Sequence, residues 1–172
     1  MVVENWYRLL HPKVVHLVTT VNEKGEINCA PFAWLTPLCD DPPILLLSAW
    51  YTSHTFQNIS NNKEFVVNVV PKELKEKMEV CAKSFPAGIN ELQKAGLTWS
   101  PSKTVKPPRV RGCMAWIECT AREIMKKENE YSITIADAKC VETGDGCYDR
   151  DFLPKKDVLL HLGGKNYSSM RR

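Results

Sequence analysis

Val14-Val15-His16-Leu17-Val18-Thr19-Thr20-Val21-Asn22-Glu23-Lys24-Gly25-Glu26-Ile27-Asn28-Cys29-Ala30-Pro31-Phe32-Ala33-Trp34-Leu35-Thr36-Pro37-Leu38 is the stretch that decides the fold. Val14 to Val21 is rich in β-branched residues, which suit a pleated backbone, and it stops at Asn22-Glu23-Lys24-Gly25, where a glycine free to take positive φ can reverse the chain. The pattern predicts a hairpin whose returning strand runs from Ile27 to Leu38. Pro31 falls inside that return and cannot donate to a ladder. It therefore marks a bulge or a sheet edge, and the backbone of Ala30 to Ala33 is left to face something other than a neighbouring strand.

Beyond the hairpin, Asp40-Asp41-Pro42-Pro43 forces an extended turn, and Ile44 to Ala49 is a continuous apolar run of the kind buried on both faces of a sheet. Thr52-Ser53-His54-Thr55 supplies hydroxyls suited to capping a short helix over Phe56 to Asn61, after which Glu64 to Val70 resumes strand character. Pro71 is placed as a first-turn proline, and Leu74, Met78, Cys81 and Ala82 form one apolar stripe on the helix that follows. Asn90 to Ala95 reads as a second short helix closed by Gly96, and Pro101, Pro107 and Pro108 fence an irregular connection. Ala115, Ile117, Cys119 and Ala121 alternate with Met114, Trp116, Glu118 and Thr120, and Tyr131 to Val141 repeats the two-residue period, with the charged stretch Met125 to Glu130 between them. Gly144-Asp145-Gly146 then turns the chain into a polar, less regular tail.

At least six strands joined by short connections favour antiparallel pairing, and closing such a sheet removes its exposed edges. The expected architecture is mostly β, an antiparallel barrel with short helical insertions. A doubly wound α/β fold is disfavoured, because G-x-G-x-x-G is absent and the strands do not alternate with full-length helices. No internal repeat, low-complexity linker or shift in composition divides the 172 residues, so one domain spanning 1–172 is expected.

Hydrophobic content of 44% with 25% charged residues is ordinary for a globular protein, and the longest apolar run, Ile44-Leu45-Leu46-Leu47, is strand-sized. The first residues carry Glu4, Arg8 and Lys13 among their apolar neighbours and hold no stretch long enough for a secretory leader, which makes the cytoplasm the expected location. The net charge of +3 arises from interspersed signs. Lys72 to Lys77 and Lys126-Lys127-Glu128 alternate and read as solvated faces, so neither nucleic acid nor a membrane surface is an expected partner. Seven cysteines, an odd number with no C-x-x-C pair, indicate neither a disulfide framework nor a zinc finger. Cys29, Cys113 and Cys119 lie in apolar runs and read as small hydrophobes in reduced form. His11, His16, His54 and His161 lack metal-ligand spacing.

With these elements laid out, the chain resembles the flavin reductase-like family of FMN-binding split β-barrels, which includes small flavin reductases and flavoredoxin-type electron carriers. The resemblance runs from about Pro12 to Cys119 through Val18-Thr19-Thr20, the stretch Gly25 to Trp34, Asp41-Pro42-Pro43, Ser53 to Ile59, Glu64 to Val69, Phe85 to Glu91, Gly96-Leu97-Thr98 and Pro107 to Val110. After Cys119 it weakens. The segment Tyr131 to Val141 lacks the glycine-centred turn of relatives, and Leu160 to Tyr167 keeps only a faint likeness.

The resemblance implies a Greek-key-like split barrel that holds FMN non-covalently, with NAD(P)H as a co-substrate and a homodimer whose partner chain completes the pocket. An isoalloxazine ring needs a dry slot with backbone donors and acceptors near its polar edge. Asn28, Ala30, Pro31, Phe32, Ala33 and Trp34 can form that slot; alternatively the aromatics are barrel core and Pro31 only an edge marker. A phosphate needs convergent N–H and hydroxyl donors, which Thr52, Ser53, His54 and Thr55 offer at a helix tip, although capping alone also accounts for them. Many relatives place a Lys or Arg nearby, and its absence here leaves open which cation, if any, balances the phosphate; His54 is one candidate and a distant Lys or Arg another. Ser48 and Ala49 are small enough to let a ribityl chain pass, or they simply pack. The hydride acceptor is N5 of the ring itself, so no catalytic side chain is named.

Two redox readings follow, and a third without flavin. In the first, NAD(P)H reduces the flavin, which passes electrons to free flavin, a quinone, iron or another small acceptor. In the second, a flavoredoxin-type carrier shuttles electrons between protein partners. In the third, the cysteines form a thiol or metal site on a barrel scaffold.

Overall fold

The computed structural model describes residues 4–126 and 130–170. A 3-10 turn, Trp6–Leu10, leads into β1 (Lys13–Val14) and then the expected hairpin of β2 (His16–Val21) and β3 (Ile27–Phe32). Gly25 takes φ +80°, and the Asn22 side chain fastens the turn by accepting from the N–H groups of Lys24 at 3.0 Å and Glu26 at 2.9 Å. The return does not run unbroken to Leu38. It divides into β3 and β4 (Leu35–Cys39), and the break falls after Phe32 rather than at Pro31, which stays in register opposite Leu17.

Strand order explains why the proline is tolerated. The main sheet runs β3-β2-β6-β9-β10-β5-β4, which adds β5 (Ile44–Trp50), β6 (Glu64–Val69), β9 (Ala115–Lys126) and β10 (Tyr131–Thr143). β3 is an edge, and the N–H of Cys29 already points away from β2, donating to the Glu91 carboxylate at 2.9 Å. By the alternation of an antiparallel strand, the N–H that Pro31 lacks would project on that same unpaired side.

The same order shows that the sheet rolls up. β3 and β4 are opposite edges, about 29 Å apart in a flat sheet of this many strands. Only Ala33 and Trp34 separate Phe32 from Leu35, a reach of at most about 11 Å. The edges are thus drawn together without pairing, so the barrel is split, as the resemblance implies.

Three α-helices are described: α1 (His54–Asn62), α2 (Lys75–Cys81) and α3 (Glu91–Lys94). α1 begins two residues before Phe56 because Ser53 is its N-cap, accepting from the Phe56 N–H at 3.2 Å. Pro71 caps a 3-10 turn, Lys72–Leu74, ahead of α2; Met78 and Cys81 are buried as expected, whereas Ala82 ends the helix exposed, off the stripe. Asn90 caps α3, and Gly96 follows it at φ +62°.

α2 and α3 cover the outer face of the β2–β3 hairpin, where Leu17, Cys29, Met78, Cys81 and Leu92 form one core; Val18, Leu47, Ile59, Phe65 and Cys119 form another inside the barrel. β2 is therefore the strand buried on both faces. β5, expected to be so, alternates instead: Leu45, Leu47 and Ala49 are buried, while Ile44, Leu46 and Ser48 are only half-buried because no described helix covers that side.

The connection fenced by prolines lies between two short strands, β7 (Trp99–Ser100) and β8 (Arg109–Val110). The tail is more regular than expected. β11 (Val158–Gly163) and β12 (Asn166–Met170) form a hairpin that pairs with β1 through Lys13 opposite His161, a contact between chain ends that local pattern does not reveal. Met125 and Lys126, assigned to a loop, extend β9; Lys127 and Glu128 lie outside the described residues.

Candidate functional site

Along the edge strand β3 and its exit, a cleft of about 830 Å³ opens, within the range of small-molecule sites. All twelve residues singled out from the sequence border it: Asn28 and Ala30 to Trp34 along β3 and its exit, Ser48 and Ala49 at the end of β5, and Thr52 to Thr55 at the tip of α1.

Their side chains have different duties. Ser53 caps α1 and donates its hydroxyl to the Trp50 carbonyl at 2.6 Å. The first N–H groups of α1, at His54 and Thr55, have no acceptor within the helix. Thr55 is buried, and its hydroxyl accepts from Asn28 Nδ2 at 3.0 Å; Asn28 also reaches Thr20, which Asn58 holds from α1. This buried network fixes the helix tip against β3. Thr52 is exposed, and its carbonyl accepts from Gln57 Nε2 at 3.3 Å. Ala30, Ala33 and Ala49 keep their walls thin.

Trp34 was expected at the ring, but its aromatic neighbours were not read from the sequence. Trp34 stacks on Tyr131 with centroids 5.3 Å apart and planes at 15°, and Tyr7 and Trp50 meet this pair edge-on at 5.5 and 6.1 Å. Tyr131 reaches the cleft because β10 pairs it with Trp50 across the sheet, a register invisible in local pattern. Lys83, Phe85, Glu91 and His161 also border the cleft. The only sequence signal for Phe85 and Glu91 was their place in a quoted segment of the family resemblance.

Glu91 is 5% exposed, and burial raises its carboxyl above the usual range; the N–H groups of Cys29 and of Glu91 itself, and His54, work against that rise. Cys29, packed beside Cys81 and Cys113, has its thiol pushed far up by burial, as has Cys113, so both behave as apolar filling. All seven cysteines are free, no described group of three or more His, Cys, Asp or Glu could hold a metal ion, and no described helix is long and apolar enough to cross a membrane.

An antiparallel split barrel with an aromatic-walled cleft beside its β3 edge defines the class. The match of residues 7–162 to the flavin reductase-like domain gives the family, and the chain belongs to it. An uncharacterized protein of Aquifex aeolicus is 32% identical over 167 residues, covering 92% of this chain and 85% of its own length. Among solved structures, 2-nitrobenzoate 2-nitroreductase of Pseudomonas fluorescens superposes with a TM-score of 0.85 at 25% identity, over 98% of this chain and 88% of that one. An FMN-binding protein from Thermus thermophilus with bound 1-cyclohex-2-enone superposes with a TM-score of 0.84 at 20% identity, over 94% and 88%.

Proposed function

We propose that the cleft binds FMN non-covalently and that the protein transfers electrons through it from NAD(P)H to a flavin or another small acceptor. The observation that carries this reading is the juxtaposition, in one cleft, of a capped helix tip with spare N–H groups and the open backbone edge of β3. Anions are stabilised at such a tip by unpaired amides and by about half a positive charge. His54 and Lys83, both on the cleft, are the candidates to balance a phosphate. Ser48 and Ala49 leave room for the ribityl chain. Phe32 and Trp34 shield the ring, and the β3 edge with its exit to Ala33 offers backbone groups to the ring's polar rim. When bound, FMN supplies two-electron chemistry with N5 as the hydride acceptor. The FMN-binding protein of the same fold supports a flavin in this cleft, and the nitroreductase supports a redox reaction.

We further infer a homodimer located in the cytoplasm. Trp6, Leu9 and Leu10 of the 3-10 turn are 60%, 75% and 58% exposed, and Trp50 on the cleft is 57% exposed, an apolar surface that a second copy would cover. Seven free cysteines suit a reducing compartment.

An absorption spectrum of the freshly purified protein, followed by stopped-flow mixing with NADH and NADPH, tests the reading. Expected are a flavin spectrum and its bleaching by one of the two. A flavin that only dithionite bleaches would favour the carrier that shuttles electrons between proteins, and a colourless protein that takes up no FMN would overturn the proposal.

A further inference from the structure

Beside the cleft, three buried ring nitrogens have no hydrogen-bond partner among the described residues. His11 follows the N-terminal 3-10 turn, and both its Nδ1 and its Nε2 are buried without a partner. Its ring meets that of His161 edge-on, with centroids 5.1 Å apart and planes at 72°. His161 Nε2 lies 3.0 Å from the Gly164 carbonyl oxygen. A carbonyl only accepts, so Nε2 carries the proton, which leaves Nδ1, also buried, unpaired. His161 borders the cleft. The Arg8 side chain lies over the β11–β12 turn, close enough that a β-carbon at Gly163 would stand 3.4 Å from its Cγ.

These atoms lack acceptors. A neutral imidazole always keeps one N–H, so His11 holds at least one buried donor with no acceptor in either protonation state. Protonation adds a second donor on His11 and one at His161 Nδ1. An unmade hydrogen bond of this kind is unfavourable, because the group loses its solvation without gaining a partner. No carboxylate among the described residues hydrogen-bonds to either ring. The complement of two adjacent imidazole edges is an oxygen carrying several lone pairs and negative charge.

We propose that His11 and His161, with Arg8 lying over the adjacent β11–β12 turn, form a seat for an anionic oxygen group, carboxylate or phosphate, on the molecule that exchanges electrons in the cleft. This rests on the reading of the cleft as a redox site. The seat lies on elements at the two ends of the chain, so it is a feature separate from the α1 tip that would take the cofactor's phosphate. It gives the protein a preference for acidic over neutral redox partners.

The test follows the ring nitrogens of the four histidines by long-range ¹H–¹⁵N correlation in the purified FMN-loaded protein, titrated with benzoate, inorganic phosphate and, as a neutral control, benzamide. Expected is a joint, saturating shift of His11 and His161 with benzoate or phosphate, none with benzamide, and no change at His16. A response to benzoate marks the source as an acidic acceptor, and one to phosphate marks it as a nucleotide. In His11→Phe the affinity of that anion should fall at least tenfold, while FMN uptake, titrated separately, reports on the cofactor site alone. No shift with either anion, equal shifts with benzamide, or an unchanged affinity in His11→Phe would overturn the seat. The same titration decides the seat in protein that takes up no FMN, so the two readings fail separately.

Discussion

At the scale of single residues, β2 brings a titratable ring into the interior. His16 is only 9% exposed, because its strand is covered by helices on one side and by the barrel on the other. Burial lowers its pKa from 6.5 to about 4, against a smaller opposing contribution from the Phe32 backbone, so the folded protein holds the ring neutral. The unfolded chain takes up a proton near 6.5 that the folded chain refuses until about 4. Stability from this residue is therefore fully present above the higher value and falls by about 1.4 kcal/mol per pH unit in the window between the two. Urea unfolding from pH 7 to pH 5 should show this slope, and His16→Gln should flatten it by roughly that amount whatever its absolute stability. An equal slope in the variant would mean that the ring is solvated. The β-branched run containing His16 was legible, but which of its faces is covered depends on α2 and α3, more than fifty residues downstream.

At the scale of elements, an acid in a strand holds an irregular connection in place. Glu118 sits in the alternation of β9 where a sequence reading puts a solvent-facing side chain, yet it is fully buried. The connection from 101 to 108 folds over it: the N–H groups of Lys103 and Thr104 donate to its oxygens at 2.8 and 2.6 Å, the Thr104 hydroxyl at 2.5 Å, and Arg109 Nε at 2.6 Å. Arg109 also pairs with Glu142 of β10. Burial alone would raise the Glu118 carboxyl, but these donors more than offset it and hold it below the usual range. The stabilisation is thus present above the unfolded value and is lost as pH drops through the folded one. Glu118→Ala leaves Arg109 short of one partner in a buried place and is expected to cost about 3–5 kcal/mol. Hydrogen exchange reads it directly: the Lys103 and Thr104 amides, protected in the parent, should exchange at loop rates in the variant while β9 amides stay protected. Retained protection would show that prolines alone hold the connection. Those prolines were readable as punctuation, because Pro constrains its own backbone; the anchor was not, because the distance from Thr104 to Glu118 is set by the sheet.

At the scale of the whole molecule, the cleft is assembled from parts of the chain between Asn28 and His161 that meet only when the barrel rolls up. The resemblance made the two principal walls legible, since the β3 edge and the α1 tip are contiguous segments. Of the aromatic wall only Trp34 was legible, since Tyr131 and Trp50 join it through a pairing between distant strands, with Tyr7 edge-on against Trp34. A ligand held by such a composite site has no counterpart site in the unfolded chain, which is the condition for it to stabilise the fold by mass action. FMN at a hundred times its dissociation constant should add about 2.7 kcal/mol, which for a chain of this size raises Tm by about 5–11 °C. Riboflavin carries the same ring without the phosphate, so at equal concentration it samples the aromatic wall and the β3 edge but not the α1 tip. Differential scanning fluorimetry should therefore give a clearly smaller shift for riboflavin, and Ser53→Ala should lower the FMN shift towards it. Equal shifts for the two flavins would place the phosphate in solvent and remove the helix tip from the site while leaving the ring slot standing.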